Sequence, residues 1–444
     1  RYLLELDEVD GKKVDGTVLL TTPPESVELT PGSTIEVFGR CRDGAPPEFP
    51  GQRSGEARLR ARSVDGICRA VEPATVRHRG NGLASWLAAR RTHVETRLQE
   101  ILQRRAGVPI AMLTGTRSQV TDSERDAHRR AGTAHLLAIS GLHFGALAAV
   151  AWLVCGWLTR RSSTLCRVVG ARRASAGLVV ATMAAYLVLV GAPVSAVRAF
   201  IAVSALAAAI VCEREPSTHV ALGVAALAVL IWSPTQVQEL GFQLSFIATL
   251  SIVAFWGHRP RWLAPERLSF ETSTAVVRFR RLGSFVLMSW CATASTAPLL
   301  FAAFGEWSWA AFVTNLWAVP LVTLFVFPGL LLGVATMDAL PWFGEPLLRA
   351  VTEVMFQLTL SVEWAGTLPH AVSTSGRPSH AVAWLVVAAT MAAIVSRMRR
   401  ESIVLWSLSV ALMFASTPQM RRSGGWRFHF IPVGQGDATL IEAP

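Results

Sequence analysis

HRRAGTAHLLAISGLHFGALAAVAWLVCGWL, residues 128–158, is the stretch from which the rest of the chain is read. A charged run gives way to about 23 residues, 135–157, without Asp, Glu, Lys or Arg; as a helix these span roughly 34 Å, one bilayer crossing. At about 100° per residue, His135, Ser140 and His143 fall within an arc of about 140°, while Gly141, Gly145 and Ala149 stack at every fourth position on another arc. Small residues so spaced let a second helix approach closely. The polar side chains are costly in lipid and are expected to face protein or water.

The composition extends this reading to the whole chain. Of 444 residues, 51% are hydrophobic and only 16% charged, and the apolar residues concentrate after residue 134, as expected of a polytopic α-helical membrane protein with a smaller soluble part. The net charge of +11 is carried almost wholly by arginine, because Lys12 and Lys13 are the only lysines. Neither lysine stands in a G-x-x-x-x-G-K-[ST] context, which excludes a P-loop motor within these residues.

Ten apolar segments have the character of spans: 135–157, 175–190, 194–212, 219–232, 240–256, 282–304, 310–335, 346–368, 380–396 and 403–417. The fourth is short and the eighth carries Arg349, Glu353 and Glu363, so re-entrant or interfacial placement stays open for both. Arginines crowd the loops 159–173, 257–281 and 397–401, which fall on one side in a ten-span arrangement; the positive-inside rule makes that side the cytoplasm. The odd-numbered spans then enter from outside. Each carries polar residues in its outer half: His135, Ser140 and His143, then Arg198, then Glu239 and Gln243, then Asn315. Together they predict a polar vestibule open to the exterior, although Arg198 snorkelling to the interface and Asn315 bonding a neighbouring helix are each sufficient accounts singly.

Upstream, residues 1–80 alternate apolar and polar positions in short runs, 14–21, 33–41 and 57–64, between Pro/Gly-rich turns, which predicts a small β domain. In the run ARLRARSV, residues 57–64, Arg58, Arg60 and Arg62 share one strand face; a phosphate-binding comb and a solvated outer face both fit that pattern. Cys41 and Cys68 lie in this domain, where an exterior location favours their pairing as a disulfide. Residues 81–134 read as amphipathic helices leading to the membrane. Over 83–105 a basic helix is expected, lying on the membrane surface or packing against the β domain. The run TDSE, residues 121–124, predicts a capping box. No catalytic constellation and no metal-ligand set of the right spacing stands out, so no cofactor is expected in this chain.

The run AGTAHLLAISGLHFGALA, residues 131–148, resembles the signature of the ComEC-type competence proteins, bacterial membrane channels that take up DNA as a single strand. The later motifs SAVRA (195–199), GFQLSF (241–246) and NLWAVP (315–320) follow that family's order, so the resemblance covers nearly the whole chain. It implies an OB-like barrel at residues 1–80, a transmembrane domain at 135–417, and a metallo-β-lactamase-like domain beginning at 418–444. In WRFHFIPVGQGDATLIE (426–442), Pro432 departs from the expected Asp while Gly434, Gln435, Gly436 and Asp437 match. It also implies further helices before Arg1 and a domain continuing past Pro444. The implied function is uptake of single-stranded DNA across the bacterial cytoplasmic membrane during transformation. The implied partners are single-stranded DNA, the membrane, a cytoplasmic ATP-driven translocase, DNA-receptor proteins and, as an open option, further copies of the chain.

Two other functions belong to different classes. An intramembrane serine hydrolase would use Ser140 with a histidine from another helix, such as His219 or His380, but Ala138 stands where the first Gly of a G-x-S-G motif belongs. A small-solute transporter would explain the helices and leave the β domain without a role.

Overall fold

The computed structural model describes residues 2–9, 12–21, 32–42, 64–78, 82–161, 170–215, 217–258, 260, 263, 274–369, 371–374, 377–398, 400–416, 427–432 and 437–442. The chain forms two units, Arg1–Arg90 with Met420–Pro444, and Arg91–Gln419.

In the first unit, β1 (Tyr2–Val9) and β2 (Lys12–Thr21) pair antiparallel around a tight connection. β3 is Thr34–Glu36, β4 Gly39–Arg42, β5 Gly66–Ala70 and β6 Thr75–His78. Strands β1, β2, β5 and β4 lie side by side in that order, with β2 and β5 parallel, while β3 pairs separately with β6. Alternation along β2 and β5 buries Val18, Leu20, Cys68 and Ala70 as one small core. Cys41 and Cys68 stand directly opposite each other across β4 and β5 and are joined as a disulfide. The pairings make small sheets, and among the described residues they do not close into the OB-like barrel that the resemblance implies. Arg58, Arg60 and Arg62 lie outside the described residues. The unit also holds β9 (Arg427–Pro432) and β10 (Asp437–Glu442), which pair antiparallel.

In the second unit, α1 (Leu83–Leu102) presents Leu98, Ile101 and Leu102 to the core, the spacing expected of one helix face. Its polar face meets carboxylates. Arg97 Nη2 donates to Glu345 at 3.2 Å, His93 Nε2 lies 2.9 Å from Asp338, and Arg105, just past the helix, pairs with Glu353. Glu95 accepts from Thr114 and Thr116 at 2.6 and 2.7 Å. His93, Arg97 and Arg105, charges expected at a lipid surface, thus meet carboxylates within the protein that the segment 338–353 supplies. α2 (Gly107–Thr114) is buried throughout. α3 (Asp122–Arg130) opens with the capping box of Thr121 and Glu124.

Ten helices follow among the described residues, at the positions of the ten apolar segments. They are α4 (Gly141–Arg161), α5 (Ala171–Leu189), α6 (Val194–Val211), α7 (Thr218–Trp232), α8 (Leu240–His258), α9 (Thr274–Phe304), α10 (Ala311–Thr336), α11 (Pro341–Thr367), α12 (His380–Val395) and α13 (Arg400–Ala415). Six are long and apolar enough to cross a membrane: α4, α5, α6, α8, α9 and α10. Large apolar side chains such as Leu153, Trp256, Leu282, Leu324 and Phe325 stand exposed on their outer faces, where only lipid accepts them without cost. The chain is therefore a polytopic α-helical membrane protein. α7 and α12 are shorter apolar helices, and α11 turns its charged residues toward α1. α10 contains a π-helical stretch, Val322–Val326, between Pro320 and Phe327–Pro328. Each proline removes a backbone donor and crowds the preceding turn, and a widened turn accommodates the misfit.

Two further expectations need correction. The first crossing begins at Gly141 rather than His135: Ala134–Leu137 is a 3-10 turn, and Ala138 is extended at φ −120°, ψ 150°. Leu136, Leu137 and Ile139 are all buried in the core built with the later helices, so tertiary packing interrupts the apolar run before Gly141. His135 is thus exposed on the turn and does not share a helix with His143. The stripe of Gly141, Gly145 and Ala149 does not form a close helix contact either. All three are exposed, a Cβ at Gly145 would meet nothing within 4 Å, and one at Gly141 would meet only Ala199 at 3.8 Å.

Candidate functional site

The residues between α3 and α4 hold several helices together. Gly132, at φ +72°, turns the chain where Ala311 at the start of α10 leaves no room for a side chain. Thr314 Oγ1 donates to the Ala131 carbonyl at 2.7 Å, and Ser308 Oγ to the Arg130 carbonyl at 2.6 Å. Beneath this turn His128 is fully buried, with Nδ1 2.9 Å from Thr133 Oγ1 and Nε2 3.4 Å from Thr359 Oγ1 of α11. Burial, and secondarily the proximity of His135, lowers its pKa to about 4, so it is neutral at pH 7.

Three of the sequence motifs meet next to it. Ser195 Oγ donates to the Ile139 carbonyl at 2.7 Å, which ties the start of α6 to the segment before α4 and sets Ala199 beside Gly141. Arg198, one turn along α6, is buried and donates from Nη2 to the Gly241 carbonyl in the first turn of α8, at 3.1 Å. Its Nε has no partner, and no carboxylate pairs with it among the described residues. A guanidinium withdrawn from water and held by one neutral carbonyl is an unfavourable arrangement unless something else uses the charge. Glu239 and Gln243 flank Gly241, and Gln243 Nε2 donates to the Val237 carbonyl at 3.0 Å. The helix N-termini of α6 and α8 thus converge with Arg198 between them, and their dipoles add positive potential.

At the start of α4, Ser140 and His143 face each other. The Ser140 N–H donates to His143 Nδ1 at 3.3 Å, and Ser140 Oγ lies 3.3 Å from the same atom. The imidazole is buried with its ring centroid 4.7 Å from that of Phe327, and Nε2 has no partner. Asn315 is also buried: Nδ2 donates to Thr293 Oγ1 of α9 at 3.4 Å, and Oδ1 has no partner. The structure therefore brings Ser140 to His143 and Arg198 to the Glu239–Gln243 turn, with Ser195 linking the two pairs through Ile139. No hydrogen bond joins Asn315 to this cluster among the described residues, and His135 stands outside it. Neither His219 nor His380 bonds to Ser140 among them, and they contain no group of three or more His, Cys, Asp or Glu side chains that would hold a metal ion. Sequence reading missed the joining atoms, the Ile139 and Gly241 carbonyls, because every residue carries a carbonyl and only packing selects two of them.

A curated relative, ComE operon protein 3 of Bacillus subtilis (strain 168), is 24% identical over 348 residues, which cover 76% of this chain and 41% of that protein. The chain thus spans less than half the length of that relative. No solved structure matches it. The family model for "Competence protein" matches residues 112–400, the region that holds α3, the nine helices α4–α12 and all four motifs. The chain belongs to the competence protein family.

Proposed function

We propose that the chain conducts single-stranded DNA across the bacterial cytoplasmic membrane during transformation, with the convergent N-termini of α6 and α8 as part of its polar path. The observation that carries this reading is Arg198, a buried guanidinium with a donor unspent, between helix ends whose dipoles also favour a phosphate. Family membership supports the reading. In this proposal all ten helices cross, the arginine-rich loops lie in the cytoplasm, and the β domain with its Cys41–Cys68 bridge lies outside, where disulfides persist. Arg58, Arg60 and Arg62 would hold the phosphate backbone without reading sequence. Pulling the strand inward requires energy, so an ATP-driven translocase acts from the cytoplasm, DNA-receptor proteins deliver the strand, and copies of the chain can assemble. An OB-like barrel and a nuclease domain continuing from β9 and β10 are parts of the same proposal.

The serine hydrolase reading draws on the Ser140–His143 contact. A working base needs its second nitrogen oriented by a partner, and His143 Nε2 has none, so the contact lacks the third member of such a relay. The deciding test is Arg198→Met. Removing a buried, poorly paired cation should leave the protein inserted and at least as thermally stable as the wild type, while uptake of single-stranded DNA falls by about tenfold or more. Uptake at the wild-type rate in a stable Arg198→Met protein would refute the proposal, and loss of uptake on Ser140→Ala would favour the hydrolase.

A further inference from the structure

Away from Arg198, α3 ends beside a short antiparallel hairpin, β7 (Glu306–Ser308) and β8 (Val372–Thr374). Between them lies a cavity of about 220 Å³ lined by Arg129, Arg130, Glu306, Gly366, Ala371 and Val372. Arg129 is neutralised by Glu306 and Asp126. Arg130 pairs with no carboxylate among the described residues, so the cavity wall retains a free cation. Its position is imposed from two sides. Ser308 of β7 donates to its carbonyl, and its Cβ lies 3.1 Å from where a Cβ on Gly366 would be, a place that glycine leaves open.

The same hairpin fixes an aromatic ring nearby. Trp309 follows β7 directly, its backbone N–H donates to the Ala371 carbonyl at 2.8 Å, and its indole Nε1 donates to Ser373 Oγ at 3.1 Å. Phe312 and Phe414 stack with it at interplanar angles of 28° and 11°, yet 43% of the residue remains exposed. A cation whose backbone is anchored and a rigid, half-exposed ring, both tied to one hairpin, are the two elements from which proteins build sequence-tolerant sites for single strands, a charge for the backbone and a face for a base.

We infer that the cavity of Arg129 and Arg130, together with Trp309, is a docking site for single-stranded nucleic acid, with Arg130 on a phosphate and Trp309 under a base. The choice of nucleic acid rests on the channel reading above. Arg129 and Glu306 form the wall. The competing role for Trp309 is anchoring at the bilayer interface.

The test uses the full chain in phosphatidylcholine nanodiscs and a fluorescein-labelled oligothymidylate, with anisotropy followed across a salt series. Arg130→Gln should weaken binding by roughly 5- to 10-fold and reduce the salt slope by roughly 0.7. Trp309→Leu should weaken it by roughly 10-fold, and Trp309→Phe, which keeps a π-face, should restore most of the loss. With wild-type chain and a 5-bromouracil-substituted oligonucleotide, photo-cross-links should map to residues 306–310. Unchanged affinity in Arg130→Gln together with cross-links only elsewhere would overturn the inference, even if Trp309→Leu does not fold. Equal affinity in a folded Trp309→Leu protein would assign the ring to the interface and likewise overturn it. Failure of this site with Arg198→Met still blocking uptake would leave the channel reading intact, whereas a wild-type chain that binds no single strand at all would end both.

Discussion

Replacing Gly132 by Ala tests the contact on which the arrangement of α3, α4 and α10 depends. Two costs can be worked from the geometry. The residue sits at φ +72°, where an L side chain costs about 1–2 kcal/mol. Its new Cβ would also lie 2.3 Å from Ala311 Cβ and 3.1 Å from Ala311 Cα, so the two segments must part by more than 1 Å at the Cβ atoms, an overpacking cost of about 1–3 kcal/mol. The sum, about 2–5 kcal/mol, is large for one methyl group. The two costs can be separated, because Ala311→Gly removes the clashing methyl and leaves the backbone conformation unchanged. The double variant should recover about 1–2 kcal/mol of the loss, and the remainder should persist. Unfolding can be followed by a thiol-reactive dye in detergent, since Cys155 and Cys291 are buried, with the exposed Cys212 and also Cys166, which lies outside the described residues, replaced by Ser. A Gly132→Ala protein as stable as the wild type, or a double variant no more stable than Gly132→Ala alone, would show that the turn does not pack against α10 as described.

His128 predicts a pH dependence. Its pKa of about 4 in the folded chain lies below the ordinary value of 6.5, so the unfolded chain binds more protons between those values; stability is complete above about pH 6.5 and is lost as pH falls toward 4, by an amount on the order of 3 kcal/mol. Thermal melts should therefore show a smaller drop between pH 7.5 and pH 4.5 in His128→Gln than in the wild type, and identical drops would contradict the buried neutral ring. The Cys41–Cys68 bridge closes a loop with a sequence separation of 27, worth about 3.5 kcal/mol in chain entropy. Dithiothreitol should accordingly expose the β domain to protease at lower temperature, and maleimide should label Cys41 and Cys68 only after reduction; labelling of either before reduction would exclude the bridge.

Much of the protein is determined along the chain. Runs of apolar residues longer than a bilayer crossing identify membrane helices because lipid offers no partner for a backbone amide, and that constraint acts on each segment separately. The capping box at Thr121 and the motifs around Ser140, Arg198, Gly241 and Asn315 are local in the same sense, being runs of neighbouring residues. What the tertiary structure alone decided is where those runs stop and what they touch. Only the Ser140–Gly141 pair, a common turn dipeptide, hints in the sequence at the break before Gly141; that Leu136, Leu137 and Ile139 are all buried in a core shared with other helices is decided by packing. The stripe of Gly141, Gly145 and Ala149 has the spacing of a close contact yet meets only Ala199, at ordinary van der Waals distance from Gly141, whereas Gly132, a single residue in a charged run, has Ala311 pressed on it. Arg97 of α1 and Arg105 just past it have the pattern of a surface helix until Glu345 and Glu353, each 248 residues away, are brought beside them. Arg198 shows the division most directly. Its position in an apolar helix makes it conspicuous in the sequence, but its burial against a single carbonyl depends on the packing of α6 on α8, a relation between residues 43 apart that no local periodicity encodes.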